Sequence, residues 1–174
     1  MQKNGGDHVS EKFEKAFKEV LDYEGGYSNH EADRGGATKF GITEEVAREA
    51  DYEGDMKDLS LEKAKEIYKE NYWQYEDLPV QIGIEAFDQA VNMGIFTATK
   101  HLQMAINCFR EDEIAIDGVM GPNTAAAVNG CEYADELVKI MNILQGQRYV
   151  KLALNDPSQK VFIRGWIKRV DINK

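Results

Sequence analysis

Glu24 and Asp33 lie in the stretch YEGGYSNHEADRGGATKFGIT, residues 23–43, which holds five of the chain's fifteen glycines. Tandem glycines at 25–26 and 35–36, with another at Gly41, alternate with Asn29, Asp33 and Thr38. This pattern suits a tight strand–loop–strand whose backbone a ligand can approach closely. Gly35, Gly36 and Asn29 are thus candidate ligand contacts, and Tyr27 is the aromatic best placed to line a cleft. Upstream, SEKFEKAFKEVLDYEGG sets Phe13, Ala16, Phe17, Val20 and Leu21 at the i, i+3, i+4, i+7, i+8 positions of one helix face. Glu24, at i+11, is about 1,100° further round, three turns plus about 20°, so a carboxyl stands where the stripe calls for a hydrophobe. Burial and the negative end of the helix dipole both disfavour the anion and raise its pKa above the ordinary value of about 4.3. Such an acid keeps its proton near neutral pH and can deliver it in a reaction. The competing reading places Glu24 off the stripe, in a frayed and solvated last turn.

The elements that must position these residues are mostly helical. Ser10 caps the first helix and Gly25 or Gly26 ends it. Further helices are predicted at about 43–51, 60–73, 82–93, 97–108, 122–129, 133–154 and 157–170, with Ser60 as a cap and Pro122 in a first turn. Residues 27–42 resist a helical reading and suit a short hairpin or β-like loop. The expected fold is mainly α, a helical bundle with a small β element beside the end of the first helix. The chain has 174 residues, about one domain, with 43% hydrophobic and 30% charged residues. QYEDLPVQIG (74–83) is the expected hinge between two sequence regions, 1–95 and 96–174, packed into the same globule.

Charge and composition narrow the function. A net charge of −10 argues against broad attraction to nucleic acid or anionic lipid, which draws its energy from basic side chains. No run reaches the roughly 18 apolar residues of a membrane span, and MQKNGGDHVSEKF lacks a secretory pattern, so cytoplasmic synthesis is expected. Cys108 and Cys131 have no CxxC spacing and read as reduced and structural, and His8, His30 and His101 are too scattered for zinc. GGATKFG lacks the ending of a phosphate-binding loop, and the acids of NHEADRGG do not match a calcium-binding EF-hand.

EGGYSNHEADRGGATKFGIT resembles the signature of glycoside hydrolase family 108, lysozyme-like N-acetylmuramidases of phages and bacteria also labelled secretion-activating proteins. His30 and Glu31 stand where the family carries Asp and Pro, and Arg34 where Pro is frequent; the glycines, Asp33 and Thr38 are in place. FDQAVNMG (87–94) resembles the family's second conserved helix. AIDGVMGPNTAAAV (115–128) and FIRGWIKRV (162–170) resemble its helical C-terminal peptidoglycan-binding region. The resemblance thus spans nearly the whole chain. It implies a lysozyme-type fold, peptidoglycan glycan strands as substrate, Glu24 as the catalytic acid, and neither cofactor nor metal. Action on the wall would then need a holin or another export factor, and the expected protein is a monomer that engages neither nucleic acid nor membrane.

Hydrolysis of a glycosidic bond requires a protonated carboxyl at the leaving oxygen and usually a second carboxylate. Asp33 is the nearest candidate in sequence. The order helix-end Glu, loop Asp, then Thr before a Gly-containing strand also resembles phage-type lysozymes, which implies that Asp33 and Thr38 position the attacking water. An Asp on a glycine-flanked loop favours inversion, with carboxyls about 6.5–9.5 Å apart, over retention at about 5–5.5 Å; alternatively Asp33 only stabilises the turn. A lytic transglycosylase would use the same Glu without the second carboxylate. An inactive binding or secretion-accessory protein is the remaining alternative.

Other residues divide between function and architecture. Asn92, in VNMG, is a candidate for hydrogen bonding an N-acetyl or hydroxyl group, or an ordinary helix terminator. Gln103 with the DG-x-x-GP-x-T stretch 117–124 reads first as a turn before a Pro-initiated helix, with Asp117 and Thr124 in local hydrogen bonds, though it resembles peptidoglycan-binding modules. Tyr68 and Tyr72 are expected in the core, and Phe162 and Trp166, one turn apart, as an anchor for the C-terminal half.

Overall fold

The computed structural model describes residues 10–23 and 37–172. Among them are eight α-helices and one two-stranded antiparallel sheet, the mainly α, lysozyme-like class expected. Two compact units divide between Glu76 and Asp77.

In the first unit, α1 (Glu11–Tyr23) starts where the Ser10 hydroxyl accepts from the Phe13 N–H at 3.1 Å. Four residues of its predicted stripe form its buried face, Phe13, Ala16, Phe17 and Val20, while Leu21 is half-buried. That face meets α3 (Leu61–Tyr72), with Phe17 edge-on to Tyr68 at 5.6 Å between ring centroids and Phe13 edge-on to Trp73 at 5.3 Å. Lys65 of α3 pairs with Glu14 of α1. Glu76 closes the start of α1: its Oε2 accepts from the Ser10 hydroxyl at 2.6 Å and from the Trp73 indole at 2.9 Å, and its carbonyl accepts from Lys12. The Ser10 bond is the main cause holding the Glu76 carboxyl below the usual carboxylate range.

Strands β1 (Thr38–Lys39) and β2 (Ile42–Thr43) pair Thr38 with Thr43 and Lys39 with Ile42. Phe40 and Gly41 join them with φ of 53° and 75°, both left-handed, the backbone of a two-residue type I′ hairpin turn. Thr43 then caps α2 (Glu44–Glu49) by accepting from the Val46 N–H. A 3₁₀ turn at Met56–Asp58, unread in the sequence, follows, capped by Asp55.

The second unit is built on α4 (Val80–Met93), α5 (Ile95–Asn107) and α7 (Ala134–Asn155), which pack on one another. Helix α4 has Ile82, Ile84, Ala86, Phe87 and Ala90 buried, the all-round burial of a core helix. Gly94, at φ 84°, ends α4 and starts α5 without an intervening loop. Helix α6 (Pro122–Asn129) lies on α5. The segment predicted as one helix over 157–170 is instead a 3₁₀ turn, Pro157–Val161, followed by the short α8 (Ile163–Ile167). No residue of either element is fully buried, so no packed face supports a longer helix. The segment still folds back on α7, with Trp166 stacked on Tyr149 at 5.3 Å and on Phe162 at 5.8 Å, the anchoring expected of that aromatic pair. Arg169 pairs with Asp88 of α4 at 3.1 Å, and the Asp171 N–H donates to Asn142 of α7 at 2.7 Å.

Candidate functional site

Of the residues singled out by the sequence, Glu24, Tyr27, Asn29, Asp33, Gly35 and Gly36 lie outside the described residues. Thr38 and Asn92 lie within them. What can be followed is the frame at both ends of the signature: the buried stripe of α1, whose last residue Tyr23 directly precedes Glu24, and the hairpin that begins at Thr38.

That hairpin is pinned at several points within the first unit. The Tyr68 hydroxyl donates to the Phe40 carbonyl at 2.8 Å, Lys39 donates to the Lys57 carbonyl, and the Glu44 N–H donates to the Ala37 carbonyl at 2.9 Å. Tyr68 is therefore in the core, as predicted, and its one polar atom fixes the turn of the hairpin. Tyr72 is only half-buried; its ring is 5.8 Å from that of Tyr68, and burial is the main cause raising its phenol pKa. The Thr38 hydroxyl is buried and has no hydrogen-bond partner among the described residues.

In the second unit, Asn92 lies in the last turn of α4, and its amide N–H donates to the Asp88 carbonyl one turn back at 2.8 Å. Gly94, not Asn92, supplies the left-handed residue that ends the helix. The Asn92 side-chain oxygen takes no part in its intrahelical bond.

Gln103 and Asn107, one turn apart on α5, hold the loop that follows that helix. Gln103 is buried and uses both ends of its amide: Nε2 donates to Asp117 Oδ1 at 2.8 Å, to Thr124 Oγ1 at 3.1 Å and to the Val119 carbonyl at 3.2 Å, while Oε1 accepts from the Gly118 N–H at 2.8 Å. Asn107 Oδ1 accepts from the Ile114 N–H at 3.0 Å and its Nδ2 donates to the Ile114 carbonyl at 2.9 Å. The local hydrogen bonds expected of Asp117 and Thr124 are thus present, gathered on one buried amide. Asp117 also accepts from the Val119 N–H at 2.9 Å; that bond, then the Gln103 bond, lowers its pKa, so the exposed carboxylate stays charged. Between α5, this loop and α6 lies a groove of about 530 Å³, bordered by Arg110, Glu113, Asp117 and Asn123.

Deeper in the same unit, His101 on α5 contacts Gln89 Oε1 through Nδ1 at 2.8 Å, and Gln89 Nε2 donates to Glu85 at 2.9 Å. With Gln89 Oε1 as the acceptor, Nδ1 of His101 carries the proton of this bond. Burial, then the nearby Arg148 charge, lowers its pKa to about 4. Burial likewise pushes the Tyr149 phenol up to about 12. Neither group is poised to exchange a proton near neutral pH, and both belong to the interior. No cluster of acidic, His or Cys side chains suited to a metal occurs among the described residues, and both cysteines are free thiols, Cys108 exposed.

Sequence reasoning passed over Asn107, Arg110 and Glu113. The signal for them was the i, i+4 amide pair 103/107 on a helix that leads into the turn CFREDE.

Residues 17–94, which carry Glu24, Asp33, Thr38 and Asn92, match the model of glycosyl hydrolase 108. A solved structure, that of Brucella abortus SagA, is similar at a TM-score of 0.73 with 33% identity, over 91% of this chain and 88% of that one. The chain belongs to the glycosyl hydrolase 108 family. Residues 97–171 match a second model, described as a predicted peptidoglycan domain, which takes in α5 to α8 and the groove beside Gln103. None of the curated proteins matches the chain. Membership sets the function at a coarse level, as lysozyme-like and directed at peptidoglycan. No helix among the described residues is long and apolar enough to cross a membrane.

Proposed function

We propose that this family member is an N-acetylmuramidase that hydrolyses the β-1,4 bond between N-acetylmuramic acid and N-acetylglucosamine. Glu24 is the general acid, Asp33 the general base acting through a water, and Thr38 a residue that positions that water or the sugar. Tyr27, Asn29, Gly35, Gly36 and Asn92 contact the substrate. The observation that carries the proposal is the match of residues 17–94 to the hydrolase model over the Glu–Asp–Thr signature. Two features of the described residues support it. The α1 stripe that predicts a partly dehydrated setting for Glu24 is buried at Phe13, Ala16, Phe17 and Val20 and half-buried at Leu21, and the Thr38 hydroxyl has no partner among the described residues.

In this reading residues 1–95 carry the catalysis and 96–174 bind peptidoglycan. The enzyme works as a monomer, without cofactor or metal, and reaches the wall from the cytoplasm through a holin or another export factor, as an endolysin does. Digestion of purified peptidoglycan, borohydride reduction and mass spectrometry of the products test the bond. Reduced muramic acid ends are expected. Reduced glucosamine ends would mean a glucosaminidase, anhydro ends a transglycosylase, and no release of product an inactive accessory protein.

A further inference from the structure

The groove beside α6 has a lining that differs from that of a sugar site. Arg110, Glu113 and Asp117, all exposed, bring one guanidinium and two carboxylates to it, with Asn123 as a neutral donor and acceptor. No aromatic ring lines it, whereas an uncharged sugar ring is commonly held by stacking on one. Gln103, Thr124 and Ala127 are its buried lining residues, and Ile114 and Ala126 add aliphatic surface. The volume, about 530 Å³, is within the range of about 300–1,000 Å³ common for small-ligand sites.

The wall of the groove is also fixed in advance. Gln103 and Asn107 clamp both ends of the loop from Ile114 to Val119, so little ordering is left for a ligand to impose. The bonds from Gln103 and from the Val119 N–H to Asp117 both fall on Oδ1, which leaves Oδ2 outside them. Arg110 donates through Nε to the Asp112 carbonyl at 3.1 Å, a bond that holds the stem of the side chain and leaves the terminal nitrogens of the fork outside it.

We propose that this groove binds the stem peptide of peptidoglycan at the end where a diamino acid presents an ammonium and a carboxylate together, Glu113 and Asp117 taking the ammonium and Arg110 the carboxylate. The inference rests on the peptidoglycan reading above and assigns the C-terminal unit to the peptide, not to the glycan. Opposite charges on one groove favour a zwitterionic end over a neutral sugar, which offers neither of them a counter-charge.

The test is sedimentation of the full chain, in the cold and for short times, with intact sacculi and with sacculi stripped of peptides by an amidase. Intact sacculi should retain the chain at least about 10-fold better, free stem tripeptide should compete, and Arg110→Ala and Glu113→Gln should each weaken retention about 10-fold or more with unchanged circular dichroism. Lys160→Ala, an exposed charge outside the groove, should bind as wild type. Equal retention on intact and stripped sacculi, failure of the tripeptide to compete, or losses as large for Lys160→Ala as for Arg110→Ala would overturn the inference while leaving the peptidoglycan reading in place. Retention on neither material would overturn both.

Discussion

At the scale of single residues, the proposal places the reaction on a proton held by Glu24. Glu24→Gln keeps the shape and removes the proton, and general acid catalysis contributes about 10²- to 10⁴-fold, so turnover should fall by at least about two decades with circular dichroism unchanged. A variant that keeps more than a tenth of wild-type turnover would reject Glu24 as the acid. Asp33→Asn separates a base from a turn-former, since a turn accepts Asn and a base does not. Turnover should fall about 10²-fold or more, and near-normal activity would reduce Asp33 to a structural role. His101 lends itself to a different test, because its effect is on stability. Its pKa is about 4 in the folded chain and about 6.5 when unfolded, so the unfolded chain binds the proton first. The stability that comes from a neutral His101 is full above about pH 6.5 and is lost as pH falls toward 4. His101→Gln keeps an N–H for Gln89 and does not titrate, so its melting temperature should fall less than that of wild type between pH 7 and pH 4.5. Parallel curves for the two proteins would remove His101 from the account.

At the scale of elements, much of the fold was legible and the reasons are specific. The α1 stripe could be read because five apolar or small positions share one face, and α3 and α6 because Ser60 and Pro122 mark their starts. The 157–170 helix was misread because its fate depended on a packing face that the segment lacks. The Gln103 clamp was legible only as a local turn. Its bonds join residues 14 to 21 apart along the chain, a separation that periodicity does not report. The signature residues were legible as chemistry, from glycine density and the position of Glu24 after a helix, but only Thr38 and Asn92 can be compared with described structure. Gly118 makes the clamp testable. It sits at φ 75°, and an added Cβ would come within 2.5 Å of the Phe96 ring and 3.0 Å of the Phe96 carbonyl oxygen. The exposed ring can swing away, but the carbonyl is fixed at the start of α5. Gly118→Ala should therefore lower stability by about 1–3 kcal/mol, a fall in melting temperature of several degrees. Gly121→Ala, where a Cβ meets nothing within 4 Å and φ is −117°, should be close to neutral. Equal melting temperatures for the two variants would mean that the loop yields and the clamp is not rigid.

At the scale of the whole molecule, charge is distributed unevenly. Residues 1–76 carry 11 basic and 19 acidic side chains, a net −8 of the chain's −10, and residues 77–174 carry 10 basic and 12 acidic, a net −2. The unit with the hydrolase signature is the strongly anionic one, and peptidoglycan is itself anionic wherever its stem carboxylates outnumber its amines. Long-range repulsion should therefore slow encounter with the wall at low salt, the reverse of a basic enzyme drawn to the same surface. Salt shortens the reach of that repulsion to about 10 Å at 0.1 M, while ion pairs made at contact weaken much less. The rate of solubilising sacculi at subsaturating enzyme should rise several-fold from about 10 mM to about 100 mM salt and level off or decline beyond that. A variant with Glu53→Lys and Glu62→Lys, exposed positions of the first unit, should be faster than wild type at low salt and indistinguishable from it at high salt. If the rate falls steadily with salt from the lowest concentration, as for a cationic enzyme, net charge does not govern the encounter and a local basic site does.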